Sequence, residues 1–129
     1  MNSNPRVLAV SHDSAFLHLM QTLLDDVGLP VRTTSDWRTA PRIAAKLRPD
    51  LAIVDLAPGS EAACWLTVEA LRAQSATKHI RILICPVAAW LLDEHLQQVT
   101  RLGASIWSGK FELQELLQLV MAAVYTALP

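Results

Sequence analysis

Three stretches of this chain, 6–10 (RVLAV), 50–59 (DLAIVDLAPG) and 80–87 (IRILICPV), are apolar at almost every position. A strand with one wet face alternates apolar and polar residues. Runs this continuous belong to strands buried on both faces, as in parallel sheets covered by helices. Shorter runs at 29–35 (LPVRTTS) and 104–110 (ASIWSGK) read as two more strands.

The intervening segments carry helical signals. Asp13 or Ser14 caps a first helix, on which Phe16, Leu19, Met20, Leu23, Leu24 and Val27 recur at helical spacing before Gly28 stops it. Asp36 is placed to cap a second helix with Ala40, Ile43, Ala44 and Leu47 inward, ending at Pro49. Residues 60–74, 88–103 and 112–128 read as the third, fourth and fifth helices. Five strands alternating with five helices predict an α/β fold. The expected architecture is one flavodoxin-like, doubly wound domain with a five-stranded parallel sheet, (βα)5, over 1–129 with its core at about 6–125.

Composition narrows the function. The 129 residues suit one domain, 52% of them are apolar, and the formal net charge is −1. Disorder is excluded, and near-neutrality gives no electrostatic reason to bind nucleic acid. No apolar run approaches the ~18 residues of a membrane span, so no membrane role is expected. The polar pentapeptide MNSNP is too short for a signal peptide, and Cys64 and Cys85 form no metal spacing. A reducing cytoplasm is the expected setting, with both thiols acting as small apolar residues.

In a doubly wound sheet, ligands meet the carboxyl ends of the strands. The residues expected there are Ser11, His12 and Asp13 after the first strand and Asp55 after the third. Cys85 to Ala88 follow the fourth strand and Lys110 the fifth. An aspartate and a lysine on neighbouring strand ends read either as a charge pair or as a phosphoryl acceptor with its charge-stabilising cation. His12 reads either as a hydrogen-bonded histidine at a strand end or as a pH-sensitive partner of Asp55. A zinc site from His12, Asp13 and Asp55 lacks an evident further strong ligand.

The segments VLAV, PDLAIVDLAPG, RILIC and LGASIWSGK resemble the receiver domains of two-component response regulators, over about 6–125. The resemblance implies that Asp55 matches the aspartate that accepts phosphate from a histidine kinase. Lys110 matches the lysine after the fifth strand, and Trp107 the aromatic switch residue. It also implies two acids after the first strand that bind Mg²⁺, and a Thr or Ser after the fourth. Here Ser11 and His12 stand at the acidic pair, Asp13 falls one place later, and the hydroxyl position falls near Pro86. Residues 78–99 contain no Ser or Thr. The expectation is a degenerate receiver that is not an enzyme, binds no Mg²⁺ or other cofactor, and signals through a protein partner or output domain. The alternatives are a working phospho-acceptor at Asp55 and a small-molecule or metal sensor at the same pocket.

The fourth and fifth helices carry more apolar residues than one face can hide, Trp90, Leu92 and Leu119 among them. With Trp107 they are expected to form an exposed patch that makes a homodimer. Arg38, Arg42 and Lys46 lie four apart on the second helix; a solvated face is the simpler reading and an acidic partner the alternative. Little chain follows the fifth helix, so any effector is expected to be separate or removed.

Overall fold

The computed structural model describes residues 6–57, 59–86, 96–106 and 113–126. In chain order these form β1 (Val7–Val10), α1 (Ser14–Asp26), β2 (Val31–Thr34), α2 (Ala40–Leu47), β3 (Leu51–Leu56), α3 (Glu61–Ala73), β4 (Arg81–Pro86), α4 (Leu96–Arg101), β5 (Ser105–Ile106) and α5 (Leu113–Thr126). The strands make one sheet in the order β2-β1-β3-β4-β5, and every neighbouring pair is parallel. The chain steps from β1 outward to β2, then returns across β1 to β3. Strand order therefore reverses between β1 and β3, the place where such sheets open a crevice.

Side chains alternate across the sheet. Leu8, Val10, Ala52, Val54, Leu56, Ile82 and Ile84 pack with residues of α2, α3 and α4. Val7, Ala9, Leu51, Ile53, Leu83 and Cys85 pack with residues of α1 and α5. All four residues of β1 and all six of β3 are buried, as expected of strands covered on both faces.

Several local expectations are corrected. On α1 the buried residues are Leu17, Met20 and Leu24, while Leu19 and Val27 are exposed. Apolar residues surround much of this helix, so spacing alone permits two overlapping faces, and packing against the sheet selects one. The second helix starts at Ala40, and its N-cap residue Thr39 makes no side-chain capping bond. Asp36 instead accepts from the Arg38 amide at 2.9 Å in a preceding turn. Pro41 explains the delay: lacking an N–H, it belongs in a first helical turn and not further in. The same helix ends with Arg48 in the left-handed region (φ 51°), its N–H bonded to the Ala44 carbonyl.

Leu119 is half-buried against the core beside buried Leu116, Val120 and Val124, so it is not the exposed residue expected. Among the described residues, the large apolar side chains exposed on α4 and α5 are Leu96 and Tyr125. Trp90, Leu92, Trp107 and Lys110 lie outside the described residues, as do Val87 and Ala88. Among the described residues no helix is long and apolar enough to cross a membrane.

Candidate functional site at the strand ends

Register brings the first elements of the site together. Val10 pairs with Val54, so the next residue along each strand places Ser11 beside Asp55. Asp55 in turn pairs with Cys85, and Leu56 with Pro86, the last residue of β4. Alternation also sorts the side chains. Ser11, Asp55 and Cys85 continue the α1/α5 side of their strands, and His12 continues the α2/α3 side.

The contacts follow that sorting. The buried Ser11 hydroxyl donates to Asp55 Oδ2 at 2.7 Å, and its oxygen accepts the Asp13 amide at 2.9 Å. The His12 ring turns the other way and meets Trp37 edge-on, with centroids 5.1 Å apart and planes at 60°. Ser11 is thus the hydrogen-bonded partner of Asp55, while His12 makes an aromatic contact with Trp37 and acts on Asp55 only through its charge. Asp13 acts as the cap of α1: its carboxylate accepts from the amides of Ala15 at 2.9 Å and Phe16 at 3.4 Å. Among the described residues no group of three or more His, Cys, Asp or Glu side chains is placed to hold a metal ion, so the zinc arrangement considered from sequence does not form there.

Asp55 is 4% exposed. Burial pushes its carboxyl above the ordinary carboxylate range; the Asp13 charge adds to this, while the Ser11 hydrogen bond and His12 oppose it. Two buried thiols lie near. Burial and the Asp55 charge push Cys64 up to about 12, and Cys85 is raised for the same reasons. Both remain protonated near neutrality, which fits small apolar residues.

Trp37 is the residue that sequence reasoning missed. It is 7% exposed, packs in the core on the α2/α3 side and carries His12 against its ring. The available signal was parity: once Asp55 is assigned to one face of β3, the register puts His12 on the opposite side of the sheet.

No protein-family model matches the sequence, and no curated protein does. Solved structures do. Chemotaxis protein CheY4 of Vibrio cholerae superposes with a TM-score of 0.80 at 29% identity, over 94% of this chain and 99% of that one. The chain has the fold of CheY-like receiver domains and resembles them. A receiver domain of a sensor histidine kinase from Pseudomonas aeruginosa, with a magnesium ion in its active-site cleft, gives a TM-score of 0.77. It is 18% identical and is matched over 95% of this chain and 99% of that one. A response regulator from Thermotoga maritima also gives 0.77, at 15% identity over 95% and 98%. Receiver domains are signalling modules that work through partner or output domains; in this chain Asp55 stands at the β3 end of the sheet's crevice.

Proposed function

We propose that this receiver signals through protein contacts and has given up ordinary Mg²⁺-dependent phosphorylation. One observation carries the reading. The position after β1 that the family resemblance gives to a metal-binding acid holds Ser11, whose hydroxyl is engaged with Asp55 at 2.7 Å. Mg²⁺ demands hard oxygen ligands in near-octahedral geometry and prefers carboxylates. Here the Ser11 oxygen is neutral and already accepts an amide, Asp13 serves the helix terminus, and His12 packs on Trp37. This donor set does not suit the ion, which in phosphoryl transfer neutralises charge on the transferred oxygens.

On this reading Asp55 and Ser11 form a standing structural pair that holds the domain in one state. The domain is not an enzyme and works in the cytoplasm, and its partner is a protein. The face of α4 and α5, where Leu96 and Tyr125 are exposed, is the docking surface and joins two copies in a homodimer.

The test is incubation of the full chain with Mg²⁺ and acetyl phosphate, followed by intact mass. The expected result is no added phosphoryl group, together with a dimer in sedimentation at high micromolar concentration. A Mg²⁺-dependent phosphoryl adduct on Asp55 would instead establish a working phospho-acceptor. The variant S11D sharpens the result. Its new carboxylate faces Asp55, and like charges repel. It should melt lower than wild type without metal and regain stability with Mg²⁺, through linkage. H12D, whose side chain points toward α2 and α3, should show little of either effect; S11D/H12D should behave like S11D.

A further inference from the structure

Beside the Asp55 pocket, on the opposite side of β1, lies a cleft of about 560 Å³ between the start of α2 and the exposed side of α3. This falls within the range of small-molecule sites, roughly 300–1,000 Å³. Its walls are largely apolar: Trp37, Pro41, Leu66 and Ala70 contribute, and Leu66 is 68% exposed. His12 and Arg38, both exposed, stand at its edge. Asp36 also lines it, with one carboxylate oxygen committed to the Arg38 amide. Among the described residues the ion pairs are Arg6–Asp50 and Arg101–Glu69, so the Arg38 guanidinium is not neutralised by a bridge.

A second observation points to an occupant. Trp37 is more than nine-tenths buried, yet its indole Nε1–H has no acceptor among the described residues. A buried donor without an acceptor costs roughly 1–3 kcal/mol, which makes the ring an unsettled part of an otherwise packed core. His12 approaches the ring edge-on, and the Thr67 hydroxyl donates to the Trp37 backbone carbonyl and not to the ring. Trp37 itself lines the cleft, so a ligand acceptor there is the partner its unsatisfied donor calls for.

We propose that this cleft binds a flat, largely apolar molecule carrying a carboxylate. The apolar body lies against Trp37, Pro41 and Leu66. The carboxylate takes a charge-assisted hydrogen bond from Arg38 and a hydrogen bond from His12, and an acceptor oxygen satisfies the Trp37 indole N–H. The inference is independent of whether Asp55 is phosphorylated. It gives the receiver a second input, sharing the His12–Ser11 peptide with the Asp55 pocket.

The experiment uses the full ¹⁵N-labelled chain with 2-naphthoate as probe and 2-naphthalenemethanol as its uncharged counterpart. The chain holds four tryptophans, so four indole N–H signals are followed, with Trp37 assigned through W37F. The expected result is a saturable downfield shift confined to the Trp37 indole, with the alcohol binding about tenfold more weakly for want of a charge-assisted bond. A70L, which fills the cleft, should abolish the shift. R38Q should weaken the naphthoate and leave the alcohol unchanged; as Arg38 is exposed, this variant remains decisive if A70L fails to fold. The proposal is overturned if the Trp37 indole signal does not move at millimolar naphthoate, or moves equally in folded A70L. Equal binding of the acid and the alcohol, or no effect of R38Q, overturns the assignment of an anionic ligand.

Discussion

The two ends of the sheet are built on different principles. At the amino end, charged groups are consumed by architecture. Arg6 binds Asp50 at 2.6 Å, donates to the Val124 carbonyl at 3.3 Å and lies 5.2 Å over the Tyr125 ring, tying β1 to β3 and α5. Arg72, from the last turn of α3, donates to the carbonyls of Leu102 (2.7 Å), Lys78 (2.9 Å), Ile80 (2.5 Å) and Gly103 (3.2 Å). It staples the segments that enter β4 and β5. At the carboxyl end, a carboxylate is buried with a neutral partner, and an indole donor has no acceptor among the described residues. Satisfied polar groups hold a fold together, whereas desolvated and unpaired ones are a reservoir for binding and switching. The contrast separates the end that stabilises this receiver from the end that can respond.

The largest effect should come from breaking the staple. R72A leaves four carbonyls short of a charged donor, and we expect a loss of about 3 kcal/mol in urea denaturation, since hydrogen bonds to charged groups contribute roughly 1.5–3 kcal/mol each and some are replaced by water. R72K should recover only part of it, because an ammonium cannot reproduce the planar fork. An R72A chain as stable as wild type would remove the distinction between the two ends.

A smaller effect of opposite sign is expected at the carboxyl end. Because burial raises the Asp55 pKa in the folded state, the unfolded chain releases this proton more readily. The contribution of Asp55 is therefore most favourable at a pH below the ordinary carboxylate value and is lost as pH rises through the folded value. D55N keeps an oxygen to accept from Ser11 and removes the buried charge. Thermal melts should show D55N above wild type at neutral pH, with the gap closing toward about pH 3, where both carboxyl states are protonated. A D55N chain that melts below wild type at neutral pH would mean that the charge is matched by a partner outside the described residues.

The smallest effect is expected from H12A. An edge-on aromatic contact is worth about 0.5–1 kcal/mol, so stability should fall by no more than that, and the fluorescence of Trp37 should change with it. A loss as large as that of R72A would place His12 among the structural residues.

Much of this fold is legible in local sequence. Continuous burial of VLAV and LAIVDL, the aspartate cap at Asp13 and the helix stop before Pro49 each depend on a few neighbouring residues. The meeting of Ser11 with Asp55 also follows from the strand ends, once β1 and β3 are neighbours. Pro41 was equally legible, as a residue without an N–H that sets where α2 begins.

Other features depend on what lies opposite. Leu17 is buried and Leu19 exposed because the sheet covers one of two apolar faces of α1, and periodicity cannot say which. Leu119 is half-buried because α5 packs against the sheet on the side it shares with α1. His12 meets Trp37, twenty-five positions away in sequence, because the side-chain order of a strand continues past its end into the α2/α3 side. The sequence alone determined the strand pattern, the placement of Asp55 at a strand end and the absence of an acidic pair beside it, all consequences of residue type and short-range spacing. Only the tertiary structure decided which hydroxyl holds Asp55, where His12 turns and which indole donor is left unpaired among the described residues. Those outcomes depend on pairing register and on helices packed across the sheet, and no short window of sequence contains both partners.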